Sequence, residues 1–63
     1  NFSFSSVVSI KDIKKGEKLS QTNIWVKRPG NGDFNANSYK KILGRKAIKN
    51  IKKNIQIRKS DIK

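Results

Sequence analysis

The sequence has no cysteine, no histidine, one proline and four acidic residues among its 63 residues. It therefore lacks disulfide bonds, thiol nucleophiles, the commonest zinc ligands and the side chain that titrates near neutral pH. The lack of cysteine fits a reducing compartment, so we expect a cytoplasmic protein. No apolar run approaches the ~20 residues of a membrane span, and no signal peptide is recognisable, so we expect no membrane partner.

The few acids argue against a catalytic centre. They are Asp12, Glu17, Asp33 and Asp61, each in a predicted turn. General acid–base catalysis needs paired titratable groups with separated pKa values, whereas turns commonly contain isolated acids. We interpret all four as solvated turn and cap residues and expect no catalytic residue, metal ligand or cofactor site in this chain.

A chain of 63 residues forms one domain at most, and a domain of this size buries only ~60% of the surface that its unfolded chain exposes. The sequence begins at Asn1 rather than at methionine. We expect a single domain spanning residues 1–63, cut from a longer protein or processed from one.

The charge is strongly positive, with 16 Lys and Arg residues against four acids and a formal charge of +12. Such a charge attracts polyanions, and five aromatic side chains could stack on bases: Phe2, Phe4, Trp25, Phe34 and Tyr39. A basic nucleic-acid or polysaccharide-binding module is therefore one hypothesis. However, the chain has no recognisable nucleic-acid-binding motif, and its cations alternate with isoleucines as on an outward face. We favour a solvated lysine-rich surface and expect no nucleic-acid partner.

The most informative pattern is an internal repeat. Segment 9–24, "SIKDIKKGEKLSQTNI", aligns without a gap on segment 47–62, "AIKNIKKNIQIRKSDI". Such self-similarity indicates one small unit used twice, with each copy packed against the other. We predict a pseudo-twofold pair.

The repeat also decides between helix and strand. Ile48, Ile51 and Ile55 have helical spacing, but the matching positions Gly16 and Asn54 favour a tight turn with positive φ. Each copy is therefore predicted as strand, turn, short strand and a polar single turn. The capping candidates are Ser20 or Thr22 in the first copy and Ser60 or Asp61 in the second.

The connector, residues 25–46, continues the strand with "WVKR" and then has the loop "PGNG". A short helix over "NSYKKILG" is expected, capped by Asn35 or Asn37 and ended by Gly44. The chain is thus predicted to be mostly β with short helical turns. The predicted core is Val7, Ile10, Ile13, Leu19, Ile24, Val26, Ile42, Leu43, Ile48, Ile51, Ile55, Ile57 and Ile62.

The stretch "KRPGNGDF", residues 27–34, is the one that could hold a side chain outward. Pro29 favours an extended Arg28 and ends the strand. Gly30 and Gly32 can take positive φ and allow close backbone approach, while Asp33 could brace the loop through its amides. From these residues alone, a plain surface turn is the better interpretation.

Taken together, "NIWVKRPGNGDF", "LGRKA" and "IKKNIQIRKSDI" resemble the antifreeze-like (SAF) domain, the C-terminal module of bacterial N-acetylneuraminate (sialic acid) synthases. The resemblance covers almost the whole chain. It implies a compact β-clip fold of short strands and 3₁₀ or helical turns. It also implies a longer enzyme in which a TIM barrel, not contained in these residues, precedes this module.

In that family the barrel condenses phosphoenolpyruvate with N-acetylmannosamine, using a divalent metal (Mn or Mg), to give N-acetylneuraminate and phosphate. Two chains exchange their SAF modules, so that each caps the barrel of its partner in a domain-swapped dimer. The resemblance implies a C–C bond-forming transferase when the chain is whole, and we expect the isolated module to be inactive. It does not say which nonulosonic acid is made.

The arginine of the "KRPGNG" loop, which matches Arg28, contacts the N-acetyl group of the amino sugar in the neighbouring barrel. The remaining residues of the loop are candidates for shaping it: Pro29, Gly30, Asn31, Gly32, Asp33 and Phe34.

The same fold occurs in fish type III antifreeze protein, which offers a third hypothesis, ice binding. By alignment, the ice-binding face corresponds to Lys11, Gly16, Lys18, Ser20, Gln21, Thr22 and Lys46. Hydrated, mobile ammonium groups match a rigid ice lattice poorly, so we expect no useful thermal hysteresis.

Overall fold

The structure is a computed structural model that describes residues 4–63. Strands β1 (Ser6–Ser9) and β2 (Ile24–Lys27) pair antiparallel, with Val7 opposite Val26. A central 3₁₀ turn (Ala36–Ser38) leads into helix α1 (Tyr39–Ile42), and a C-terminal 3₁₀ turn spans Lys59–Asp61. Most other pairing in the described residues is by isolated bridges, which gives the predicted fold of short β segments and helical turns.

The predicted pseudo-twofold is visible in the backbone hydrogen bonds. At its centre, the repeat-equivalent residues Ile13 and Ile51 exchange two N–H···O=C bonds of 2.7 Å. On either side, Gly16 donates to the carbonyl of Ala47 at 2.7 Å, and Asn54 donates to that of Ser9 at 2.8 Å. These bonds around the centre therefore match between the two copies.

The symmetry extends to the turns. Gly16 and Asn54 both have positive φ, 90° and 67°, as the repeat predicts. Equivalent side chains close the two single turns: Asn23 Oδ1 accepts the amide of Ser20 at 2.8 Å, and Asp61 Oδ2 accepts that of Arg58 at 2.9 Å. The predicted cap Ser20 also contributes, because its Oγ accepts the amide of Thr22 at 3.3 Å. Asp61 was a predicted cap, whereas its counterpart Asn23 was missed.

Strand β1 lies between two partners, and this explains its burial. One edge of β1 pairs with β2. At the other edge, the carbonyl of Val7 accepts the amide of Ile57 at 2.9 Å, and the amide of Ser9 donates to the carbonyl of Ile55 at 2.9 Å. All four residues of β1 are buried. Val8 therefore belongs to the buried residues, although the sequence analysis left it out.

The core prediction was mostly correct. The buried cluster comprises Val7, Ile13, Leu19, Ile24, Val26, Ile42, Ala47, Ile51, Ile57 and Ile62. Ala47 was missed, and four predicted core residues are not fully buried: Ile10 and Leu43 are half-buried, and Ile48 and Ile55 are 43% and 46% exposed. Ile48 lies in a bend, and Ile55 directly follows the Asn54 turn, so neither side chain points inward.

The connector follows its prediction closely. Asn35, rather than Asn37, caps the central 3₁₀ turn, since its Oδ1 accepts the amide of Asn37 at 3.0 Å. Gly44 follows α1 and its C-cap Leu43 with φ of 88°, the conformation expected at this position. Residues 28–35 therefore form the irregular segment between β2 and the central 3₁₀ turn.

Candidate functional site

The candidate site is residues 27–34, called here the Arg28 loop. It begins where β2 ends, at Lys27, and the peptide bond between Arg28 and Pro29 is cis. Arg28 is exposed, and within residues 4–63 its guanidinium has no hydrogen-bond or ion-pair partner. The fold thus presents a cation that its own described residues do not use.

From the inside, the loop is held by Ser6 on β1. Its fully buried hydroxyl donates to the carbonyl of Pro29 at 2.7 Å and accepts the amide of Gly32 at 2.8 Å. One side chain therefore bridges the two arms of the turn that follows Arg28.

The two glycines of the loop allow its backbone to lie close to neighbouring residues. A Cβ at Gly30 would lie 2.6 Å from the backbone of Phe4, and one at Gly32 would lie 3.0 Å from the Cβ of Ser6. The predicted close approach is therefore confirmed at both positions. The suggestion of positive φ was wrong, because neither glycine is among the described residues with that conformation.

From the outside, the loop is tied to the second copy of the repeat. Gln56 Nε2 donates to Asn31 Oδ1 at 2.7 Å, and Asp33 Oδ2 accepts the amide of Lys59 at 2.9 Å. Arg58 joins the two contacts, since it lies 3.6 Å from Asp33 Oδ1 and donates to Gln56 Oε1 at 3.1 Å. The sequence suggested that Asp33 braces its own loop, whereas the amide that it accepts is distant in sequence.

The loop ends at Phe34, which packs, partly buried, against the hydrophobic core. Its carbonyl accepts the amide of Val7 at 2.8 Å. The segment that contains Arg28 is therefore anchored to β1 at both of its ends, first through the β1–β2 pairing and then through Phe34.

A shallow groove lies beside Arg28. It is lined by Val8, Lys27, Arg28, Pro29, Asn54 and Gln56. Lys27 Nζ donates to Asn54 Oδ1 at 3.3 Å across it. Cations and amides over an apolar floor can bind carbonyl, carboxylate and hydroxyl groups, but they do not include a general acid or base near neutral pH.

The four acids were predicted to be solvated turn and cap residues, and the structure confirms the turn contacts but not the solvation of Asp61. Each accepts a backbone amide: Asp12 from Lys53, Glu17 from Lys14, Asp33 from Lys59 and Asp61 from Arg58. Asp61 is buried rather than solvated, and Lys49 Nζ lies 3.4 Å from its carboxylate. Within residues 4–63, no three acids, cysteines or histidines converge on a point that could hold a metal ion.

The amide of Lys14 and the side chain of Asn23 both donate to Glu17 and lower the pKa of its carboxyl below 4.5. The turn therefore stabilises the ionised form of this carboxyl group, as expected of a turn brace.

The aromatic residues do not form a common stacking platform among the described residues. The rings of Trp25 and Tyr39 meet edge to face at 5.3 Å, and Tyr39 and Phe34 pack on the core. Phe4 is 64% exposed. Phe2, the remaining candidate, lies outside the described residues.

Comparison with known proteins places this geometry in a family. The model of the SAF domain matches residues 4–63. The chain belongs to the SAF domain family. Two curated relatives of this SAF domain are the N,N′-diacetyllegionaminic acid synthase of Campylobacter jejuni, 49% identical over 53 residues, and the pseudaminic acid synthase of Helicobacter pylori, 46% identical over 57 residues.

These matches cover 84% and 90% of this SAF domain but only 16% of each relative. The chain therefore spans about one sixth of the length of these synthases. In the residues that the structure describes, no helix of this SAF domain is long and apolar enough to cross a bilayer.

Proposed function

We propose that this SAF domain is the C-terminal, substrate-capping module of a sialic-acid-type synthase, and that it supplies Arg28 to the active site of a second subunit. The family match and the two related synthases support the enzyme class. The observation that carries the site is Arg28 itself, an exposed arginine without a described partner on a loop held from both sides.

The chemistry of a guanidinium suits this role. Its planar donors bind a carbonyl oxygen in a fixed geometry, and it remains charged at any physiological pH. Because Arg28 has no described internal partner, it does not have to break a bond in its own domain before it binds one in a neighbour. Such a residue orients the substrate and helps to exclude water from the reacting atoms, but it transfers no proton itself.

The ligand of Arg28 would be the acetamido carbonyl of an N-acetylated amino sugar, the acceptor that phosphoenolpyruvate attacks. N-acetylmannosamine, which leads to N-acetylneuraminate, is one candidate. The name of the Campylobacter relative specifies a diacetylated product, and an acceptor with two acetamido groups is therefore the other candidate. Rates with both acceptors would choose between them.

The remaining parts of the enzyme are proposed to lie outside this chain. A divalent metal (Mn or Mg) and the phosphoenolpyruvate site would belong to a TIM barrel. The described acids of this SAF domain each accept a backbone amide and do not converge on one point. The partner would be the barrel of a second subunit in a domain-swapped homodimer in the cytoplasm. The isolated module would be inactive.

The test is Arg28→Ala in the full-length enzyme. Loss of a charged hydrogen bond to the acceptor should raise KM for the N-acetylated sugar by about tenfold or more, with KM for phosphoenolpyruvate changed by less than about twofold. Lys53→Ala is the matched control, because it removes an exposed cation of the same domain that does not line the groove beside Arg28. Steady-state kinetics with each substrate varied would measure both effects.

Thermal unfolding should be unchanged in Arg28→Ala, since the guanidinium has no described contacts to lose. Normal kinetics for the acceptor sugar in a folded Arg28→Ala enzyme would reject the role.

A basic nucleic-acid or polysaccharide-binding module remains the rival hypothesis, and ice binding is a third. The charge of +12 favours the rival, but the aromatic contacts of Trp25, Tyr39 and Phe34 do not. Saturable binding of an oligonucleotide at physiological salt would support the rival. On the aligned ice-binding face Lys11, Lys18 and Lys46 are exposed, so thermal hysteresis is not expected.

A further inference from the structure

The pseudo-twofold is broken at the two serines of β1. The repeat-equivalent of Ser9 is Ala47, and extending the gapless alignment by three residues toward the N-terminus places Gly44 opposite Ser6. Both serines are fully buried, and buried hydroxyls normally need hydrogen-bond partners. With this extension, the first copy has two buried hydroxyls at positions where the second copy has none.

Each hydroxyl holds a different turn. Ser6 Oγ bridges Pro29 and Gly32 in the Arg28 loop, at 2.7 and 2.8 Å. Ser9 Oγ accepts the amide of Ile55 at 3.0 Å and donates to Lys52, beside the Asn54 turn. The two serines are chemically alike and equally buried, but only Ser6 contacts the Arg28 loop.

The Ser6 contact fixes the turn immediately after Arg28. The carbonyl of Pro29 and the amide of Gly32 are the first and last groups of this turn, and one hydroxyl holds both. The space around the turn is filled, because Gly30 and Gly32 lie against the backbone of Phe4 and the side chain of Ser6. Without the hydroxyl, both backbone groups would lose their partner, and the turn would be free to move relative to β1.

We propose that Ser6 is a positioning residue for Arg28: its hydroxyl fixes the Pro29–Gly32 turn on β1 and so holds the guanidinium in the orientation that the acceptor sugar requires. The expected effect of Ser6 on acceptor binding rests on the proposed function. The expected effect of Ser6 on the order of the Arg28 loop, its structural half, does not. The Gln56–Asn31 hydrogen bond of 2.7 Å holds the opposite side of the turn. The backbone next to Arg28 is therefore held from both sides, whereas the Arg28 side chain has no described contact of its own.

The structural half is tested on this 63-residue chain by NMR. In Ser6→Ala, hydrogen exchange of the Gly32 amide should accelerate by about tenfold or more, and the backbone order parameters of residues 28–32 should fall. Ser9→Ala is the matched control. It should accelerate exchange at Ile55 and leave the Arg28 loop unchanged. An Arg28 loop as ordered in Ser6→Ala as in the native chain would overturn the proposal.

A loss of folding in Ser6→Ala is covered by a second variant. Ser6→Cys keeps a small buried side chain but replaces the hydroxyl by a weak donor and acceptor with longer bonds. Ser6→Cys should also accelerate hydrogen exchange of the Gly32 amide, but by less than Ser6→Ala does. Unchanged protection at Gly32 would count against the bridge.

The catalytic half is tested by a double-mutant cycle in the full-length enzyme. Ser6→Ala alone should raise KM for the N-acetylated sugar by about three- to tenfold, roughly the loss of one hydrogen bond. In an Arg28→Ala background it should raise KM no further, because its effect passes through that side chain. Ser9→Ala should not change KM in either background.

The outcomes separate the two proposals. If Arg28→Ala has no effect on the acceptor sugar while Ser6→Ala still loosens the Arg28 loop, the proposed function fails and the structural role of Ser6 stands. If Arg28→Ala has its effect and Ser6→Ala adds to it independently, the positioning role fails and the proposed function stands.

Discussion

The two copies of the repeat share a backbone but differ in what their side chains do. Their hydrogen bonds match pair for pair around Ile13 and Ile51. At other equivalent positions the first copy has Ser9 and Glu17, whereas the second has Ala47 and Ile55. In the first copy these polar side chains accept backbone amides.

This difference separates the scaffold from the site. The two copies share a pairing in which each supplies hydrogen-bond partners to the backbone edges of the other. This mutual pairing supports a core although the chain has very little regular secondary structure. The polar side chains of one copy then hold particular turns, and Ser6 holds the one with Arg28. Equivalent substitutions in the two copies can therefore show which features belong to the scaffold and which to the site.

The largest effect is expected at the centre of the symmetry. Ile13→Ala and Ile51→Ala should each destabilise the domain by about 2–5 kcal/mol, which is most of the stability available to a domain of this size. The two costs should be similar, because both side chains are almost fully buried, at 1% and 4% exposure. Chemical denaturation followed by tryptophan fluorescence would measure them.

Milder variants keep this prediction measurable if the alanine variants do not fold. Ile13→Val and Ile51→Val should each cost about 1 kcal/mol. Ile55→Val should cost less than either, since this side chain is 46% exposed. A large difference between the two central variants would contradict the symmetry.

A smaller effect is expected at the turns. Gly16 has φ of 90° and its equivalent Asn54 has φ of 67°. Gly16→Ala should cost about 1–2 kcal/mol, since alanine adopts this conformation poorly. The cost is conformational alone, because nothing lies within 4 Å of the added Cβ.

Gly16→Asn, which copies the second turn onto the first, should cost less than about 1 kcal/mol, because asparagine tolerates positive φ. Denaturation midpoints of the two variants would be compared with that of the native chain. An asparagine variant as unstable as the alanine variant would show that the two turns are not equivalent.

The comparison of the two copies also shows which parts of the fold the sequence predicts. The repeat predicted both positive-φ turns, the pairing of the copies and most of the core. The repeat also aligns Ile55 with the charged residue Glu17, which argues against a core position for Ile55. The burial of Val8 could not be read from periodicity, since it depends on β1 being paired on both sides.

The site was predicted less completely than the scaffold. Pro29 and the glycines pointed to a loop after Arg28, but Ser6, Gln56 and Arg58, which hold it, lie far away in sequence. Such contacts arise from tertiary pairing and leave no spacing signal in the loop itself. The substrate-binding role of Arg28 came from the family resemblance, and it stays a prediction.

The smallest effect is expected in the pH dependence of stability. Only the first copy should contribute to it at this position, because it has Glu17 where the second copy has Ile55. The amide of Lys14, and then the side chain of Asn23, lower the pKa of Glu17 in the folded chain below its ordinary 4.5. A carboxyl group with a lowered folded-state pKa stabilises the fold fully above its unfolded-state pKa, and this stabilisation is lost as the pH falls through the folded-state value. Stability should therefore decrease as the pH falls below about 4.5.

Glu17→Gln should flatten this part of the pH profile, measured as the free energy of unfolding between pH 6 and pH 3 in steps of about half a unit. Because hydrogen bonds are the largest causes of the shift and the charges of Lys11 and Lys14 the smallest, the difference between native and variant profiles should persist at about 0.5 M salt. A difference that disappears in salt would instead assign the shift to the lysines. Parallel pH profiles of the native chain and Glu17→Gln in low salt would mean that folding does not lower the pKa of Glu17. The first copy would then differ from the second at this position in sequence but not in its contribution to the free energy of unfolding.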